Sequence, residues 1–411
     1  MSVLGRERRL GTGPAASGEG AGGARGTLRE LVGHVRSGEL GMLPVVAALA
    51  VIWLVFQLLN PSFLSSDNLV NLTLQCAATG VLALGVVLVL LVGQIDLSVG
   101  SVSGLAAAVV AVGAVQLRWP IALTALAALG VGVGVGLLYG LLFTRLRLPS
   151  FVFTLAGLLV FAGLQLRVLG PTGSVNLPFE SWLVQVAQRG FLPAGVSYAL
   201  VALVVVAHAA SLLVGRARRE RAELPVPRLT VVAARVVTLA VVLFGTVAYL
   251  STNRGVGFTF ALFVGLVAVV DLLLRRTRWG RAVRAVGGDV ESARRAGLPV
   301  QRTFVSAFVA CSTLAALGGI LSAGRLAAAN QGTGGGDIYL TAIAAAVIGG
   351  TSLFGGRGSA WSALLGILVI QSISSGLTLL NLDTSVRYVI TGVVLALAVL
   401  IDSVVRRANQ A

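Results

Sequence analysis

The chain is patterned as long apolar runs cut by short polar ones. Measured against the roughly 20 apolar residues that a bilayer crossing requires, runs fall at 43–59, 69–92, 99–117, 119–143, 151–169, 196–214, 231–250, 257–274, 303–323, 338–353, 359–380 and 386–404. This pattern predicts an all-α polytopic membrane protein. Counting every run gives twelve crossings. The run at 338–353 is short enough for a half-helix, and open pairing at 93–98 and 354–358 leaves ten full spans plus broken or re-entrant pieces as the other count. Residues 1–42 lack a sustained apolar run and read as a disordered cytosolic tail, with a short helix near Leu28–Val35 and no signal-peptide core. Residues 43–405 form the transmembrane domain and 406–411 a short cytosolic tail. Two connections stand out. One, 275–302, is strongly basic; the other, 170–195, carries an amphipathic stretch from Trp182 to Ala187 that either lies flat on the membrane surface or docks a partner, with the surface-lying helix the expected reading.

Composition sharpens the reading. Of 411 residues, 56% are hydrophobic and 11% charged, less than half the usual charged share of about 25%. That excludes a single soluble domain. The net charge is +16, all 31 basic residues are Arg, and Lys is absent. Arg-favouring codon usage produces the same composition. Its chemical consequence stands regardless: a P-loop needs a Lys on the phosphates and a Schiff-base enzyme needs a Lys amine. If ATP drives this protein, another chain hydrolyses it. With the N-terminus inside, 24 arginines fall on the cytoplasmic side, 6 on the outer side, and Arg235 within a span. The positive-inside rule therefore places both termini in the cytoplasm. The basic balance reports topology, since a nucleic-acid surface would interleave aromatics with the arginines. Cys76, Cys311, His34 and His208 form no metal-binding spacing. No nucleophile–base pair suggests an enzyme.

Three motifs carry chemistry. Gly93-Gln94-Ile95-Asp96-Leu97-Ser98-Val99-Gly100-Ser101 joins two apolar runs without a true loop. A carboxylate at that depth is a functional-site hypothesis by default. Gln94, Asp96 and Ser98 either line a polar translocation path or cap the next helix, with Asp96 and Ser98 holding its free N–H groups. A second break, Ile348–Ser359, contains Thr351 and Ser352 and has the same alternatives. Non-helical backbone at membrane depth persists only when buried in protein or lining a cavity, as in the broken helices of transporters. The third motif is Trp279–Val300. Two short helical pieces flank Gly287-Gly288, which supply the turn. Asp289 caps the second piece and Gly297-Leu298-Pro299 stops it. Small Ala293 and Ala296, beside Glu291, Arg294 and Arg295, suit a helix whose Ala293 enters a groove on a cytosolic partner; a solvated surface helix is the other reading. Gly130, Gly132, Gly134, Gly136 and Gly140 form small-residue rows suited to helix packing within the subunit.

At these motifs the sequence resembles the monosaccharide permeases of bacterial ATP-binding-cassette importers, of the ribose and xylose type. The Gly93–Ser101 block, Leu148–Gly157, Trp279–Val300 and Ala346–Gly358 occur in the family's order. The extra length around 216–256, ending in Asn253-Arg254-Gly255-Val256, looks most like the xylose-type members. Gly93-Gln94 departs from the Gly-Gly of ribose-type members. The resemblance implies a non-enzymatic permease of the bacterial inner membrane for a pentose such as xylose. It also implies a homodimer of permease copies, an extracytoplasmic sugar-binding protein and a cytosolic ATPase. ATP and Mg²⁺ would be used by that ATPase, with no cofactor or metal on this chain. Residues 275–302 would be the coupling loop, with Gly287, Gly288, Asp289, Glu291, Ala293 and Gly297 forming its docking motif. The rival is an ion-coupled secondary transporter of a small polar solute, for which Asp96 is the main candidate site.

Overall fold

The computed structural model describes residues 42–386, 388–390, 392, 393 and 396. The expected tail helix near Leu28–Val35 and the C-terminal tail at 406–411 lie outside them. The elements in chain order are α1 (Leu43–Leu59), α2 (Ser66–Leu91), α3 (Val99–Val115), α4 (Ile121–Leu146), α5 (Ser150–Leu169), β1 (Ser174–Asn176), α6 (Trp182–Arg189) and α7 (Ala194–Arg221). They continue as α8 (Leu229–Leu250), α9 (Phe258–Arg276), α10 (Arg278–Gly288), α11 (Val290–Arg295), α12 (Val300–Leu326), β2 (Ala328–Asn330), α13 (Ile338–Ile348) and α14 (Trp361–Leu379). Among the described residues, eight helices are long and apolar enough to cross a membrane: α2, α4, α5, α7, α8, α9, α12 and α14. The apolar helices α1, α3 and α13 are shorter. The last expected run, 386–404, is described only in part, and 388–390 are helical.

The two breaks fall where Gly and Ser cluster. α2 ends at Leu91, Gly93 takes φ +72°, and α3 begins at Val99. α13 ends after 11 residues, and Gly350, Gly355, Gly356 and Gly358 all take positive φ before α14. Such values suit glycine because it lacks a Cβ. The run at 338–353 is thus a half-helix, as its length suggested.

The core is built around α12, which packs on α2, α3 and α4. Close approach to α4 depends on one glycine row. A Cβ added at Gly132, Gly136 or Gly140 would lie 2.7, 2.4 or 2.8 Å from an atom of α12, whereas Gly130 and Gly134 face open space. Only the first three form the internal seam. α2 is 78% buried over its most apolar window, but α7 is 6% buried and α8 11%. The α7–α8 pair therefore stands at the periphery with most of its surface open to lipid. β1 and β2 pair antiparallel, Ser174 opposite Asn330. α6 does not lie free on the membrane surface. Its Leu183, Val184 and Ala187 are buried, and Leu183 and Ala187 pack beside Gly324 of α12. The apolar stripe read from the sequence faces the protein because the end of α12 offers an apolar seat.

Candidate functional site

The first break places Asp96 among α3, α4 and α12. Asp96 is 1% exposed. Its Oδ1 accepts from the Ser98 backbone N–H at 2.8 Å and from the Ser98 hydroxyl at 2.7 Å. The Tyr139 hydroxyl donates to Ser98 Oγ at 2.8 Å, and Cys311 Sγ approaches Asp96 Oδ2 at 3.9 Å. Asp96 therefore holds one free N–H at the start of α3. The expectation that Ser98 also caps a backbone N–H is corrected: its hydroxyl hydrogen is engaged by Asp96 and its oxygen by Tyr139. Gln94 stands beside this cluster, half-buried.

Two sequence motifs meet here. Ser150 Oγ accepts from Ile95 N–H at 3.4 Å, and Thr154 Oγ1 donates to Ile95 O at 3.4 Å. A Cβ on Gly157 would lie 1.8 Å from Tyr139 Oη, so this glycine makes room for the phenol. Phe153, Phe161 and Phe308 surround the Tyr139 ring. Tyr139 was missed in the sequence. Its signal was that it is the single phenol in the run at 119–143.

The second break does not use Thr351 and Ser352 to cap α14. Ser352 Oγ accepts from Phe354 N–H, and Ser359 Oγ accepts from Trp361 N–H at the start of α14. The reason is distance along the chain: Gly355–Gly358 intervene before the helix begins. Thr351 is 1% exposed and its hydroxyl has no hydrogen-bond partner.

All three motifs converge at one backbone junction. Gly356 N–H donates to Leu91 O at 3.0 Å, joining the two breaks. Gly287 of α10 packs on the same bond, where an added Cβ would lie 1.7 Å from Leu91 O and 2.7 Å from Gly356 N. A Cβ on Gly355 would lie 2.6 Å from Gly287 O and 2.9 Å from Gly93 Cα. Gly287 and Gly288 belong to α10, and neither takes a positive φ. The expected turn is instead made at Asp289, whose backbone is extended. Gly287 serves close approach.

The Asp289 side chain caps α11 through Ser292 N–H. That bond and the Ser292 hydroxyl hold its carboxyl below the usual carboxylate range. Gly297 takes φ +75° after α11, the stop its position predicted. The expected orientation of Ala293 is corrected. It is 4% exposed and belongs to this chain's own core, because α11 folds back onto the start of α12. The free face of α11 carries Val290, Glu291, Arg294, Arg295 and Ala296 instead. Glu291 pairs with Arg294 at 2.9 Å and Arg295 at 3.5 Å, exposed bonds that contribute little stability.

At the end of the bundle opposite the two breaks lies a pocket of about 310 Å³ between α2, α6, α12 and α14. Asn68, Asn71 and Gln75 share one face of α2, and Gln188, Arg325 and Ser375 face them. Ser375 Oγ donates to Asn68 Oδ1 at 2.9 Å, and Gln188 Nε2 donates to Arg325 O at 2.9 Å. Asn68 and Asn71 already spend their carboxamides within the chain, Asn68 Nδ2 donating to Phe63 O at 2.7 Å and Asn71 Oδ1 accepting from Arg254 at 2.6 Å, so the Gln75 carboxamide is the group left to offer a donor and an acceptor to a polyhydroxylated neutral solute. The sequence held a signal in the i, i+3, i+7 spacing of Asn68, Asn71 and Gln75, but their partners lie hundreds of residues away.

Comparison with known proteins supplies the remaining context. The family described as branched-chain amino acid transport system / permease component matches residues 68–399. The xylose transport system permease protein of Escherichia coli (strain K12) is 35% identical over 376 residues, covering 91% of this chain and 95% of the relative. That of Haemophilus influenzae is 33% identical over 371 residues, covering 90% and 98%. The ribose import permease protein of Bacillus subtilis (strain 168) is 32% identical over 365 residues, covering 89% and 94%. No solved structure matches the chain.

Proposed function

The chain belongs to the permease-component family matched over residues 68–399, and from that membership we propose that it is the membrane-spanning subunit of an ATP-binding-cassette importer for xylose or a similar pentose. It is a transport subunit of the bacterial inner membrane and not an enzyme. Although the family's description names branched-chain amino acids, the relatives above are named for xylose and ribose. The outer pocket favours the sugar, since its Gln75 carboxamide suits hydroxyl groups better than a branched aliphatic chain.

In this reading an extracytoplasmic binding protein delivers the sugar above the outer pocket. A cytosolic ATPase, using ATP and Mg²⁺, docks on the exposed face of α11, and this chain binds no cofactor. Two copies of the permease form the transmembrane unit, and both chain termini are cytoplasmic. The polar groups Gln94, Asp96, Ser98, Thr351 and Ser352 keep the two breaks at membrane depth and border the path between them.

The observation that carries the proposal is the glycine junction. α10 is the only described cytosolic helix whose backbone touches both breaks, at Leu91 and Gly356. A push on α11 and α10 is therefore transmitted to both broken helix pairs at once, which is what switching between outward- and inward-open states requires. An ion-coupled transporter is not favoured, because Asp96, the one deeply buried carboxylate among the described residues, is already committed to Ser98.

The test is uptake into proteoliposomes that contain the permease, its ATPase and its binding protein. Uptake of labelled xylose should require ATP, Mg²⁺ and the binding protein together. Uptake driven by a proton or sodium gradient without ATP would overturn the proposal.

A further inference from the structure

Beside the transport path, the peripheral pair α7–α8 holds a second cavity, an open crevice of about 840 Å³ that Trp361 of α14 also lines. Val204 and His208 of α7 line it, with Thr230, Ala234, Arg235, Leu239 and Val242 of α8. Arg235 lies within the span of α8 and is exposed. Among the described residues it has no ion pair, and no hydrogen bond engages its guanidinium. No carboxylate is among the residues that line the crevice. A guanidinium facing hydrocarbon is costly unless an anion meets it.

From this geometry we propose that the crevice is a binding site for one anionic glycerophospholipid of the cytoplasmic leaflet. The dimensions fit. From Thr230 to Val242 is twelve residues of helix, about 18 Å, against about 15 Å for half the hydrocarbon core. An acyl chain lies along Leu239 and Val242, and the phosphate meets the Arg235 side chain, which reaches toward the headgroups. Charge complements the fit, because Arg216, Arg218, Arg219, Arg221 and Arg228 crowd the same end of α7 and α8, and basic pockets between helices on that side suit anionic headgroups. The lipid would brace an otherwise weakly packed helix pair against α14. The proposal is independent of the solute transported.

The test uses the full chain in nanodiscs of equal phosphatidylglycerol and phosphatidylcholine, extracted into detergent and weighed by native mass spectrometry. The wild type should retain one phosphatidylglycerol in preference to phosphatidylcholine. Arg235→Gln should cut that preference by about fivefold, the effect of one charge near the surface, while Arg235→Lys keeps it. Ala234→Phe, which fills the crevice without altering charge, should lose the bound lipid as well. Thermal stabilisation by added phosphatidylglycerol but not by inorganic phosphate separates a lipid from a free anion. Equal retention of both lipids, an unchanged preference in Arg235→Gln, stabilisation by phosphate alone, or cysteine cross-linking of this face to a second copy would each overturn the proposal.

Discussion

The junction makes a sharp demand on one glycine and none on its neighbour. In Gly287→Ala the new methyl group starts 1.7 Å from Leu91 O, and ordinary contact begins at 3.4 Å, so α10 must withdraw by about 1.7 Å. Such a shift separates α10 from both breaks and crowds the bond from Gly356 N–H to Leu91 O, now 3.0 Å. Overpacking costs about 1–3 kcal/mol, and loss of the buried hydrogen bond about 1–3 kcal/mol. Ala in a helix returns up to about 1 kcal/mol over Gly. The balance is a net loss of about 1–5 kcal/mol at the junction. Gly288 is the control, because an added Cβ there meets nothing within 4 Å. Membrane levels of both variants should be normal, since insertion is set by the apolar spans. ATP-driven uptake by Gly287→Ala should fall by roughly tenfold or more, with ATP hydrolysis uncoupled from transport, whereas Gly288→Ala transports as the parent does. Equal behaviour of the two variants, in either direction, refutes the proposed coupling through the junction.

Three further tests address the rest of the site. Asp96→Leu strands the Ser98 N–H and hydroxyl in a buried setting, at about 1–3 kcal/mol for each unsatisfied group; thermal unfolding should drop clearly and uptake should vanish, while Asp96→Asn, which still offers an acceptor, loses less. Gly157→Ala collides with Tyr139 Oη at 1.8 Å and should destabilise by about 1–3 kcal/mol; adding Tyr139→Phe should recover part of that loss in a double-mutant cycle, and strict additivity would show that the two side chains do not meet. Gln75→Leu in the outer pocket should raise the sugar concentration needed for half-maximal uptake without changing ATPase docking, and an unchanged uptake curve would remove Gln75 from the path.

Lipid made much of the fold legible in the sequence. A crossing must be long and apolar, so eleven of the twelve runs appear as helices, with ends displaced by at most seven residues, at Arg221. The breaks were legible because Gly and Ser are the residues that tolerate the backbone they adopt. What could not be read was convergence. Leu91, Gly287 and Gly356 lie in separate stretches of chain, and each motif alone is compatible with a cap, a loop or a path. Ala293 shows the limit most clearly. A small residue beside charges permits close approach, but nothing local says to which surface, and here it is the chain's own core. The same ambiguity holds for Gly287, where conformational freedom and the absence of a side chain predict the same residue. Only its backbone conformation decides: with no positive φ and Leu91 O directly beside it, the missing Cβ is what matters. A glycine chosen for flexibility would tolerate Ala whenever the turn moved elsewhere, and this turn already has, to Asp289. The junction is thus a requirement of contact, and it is the contact that links the cytosolic helices to both breaks.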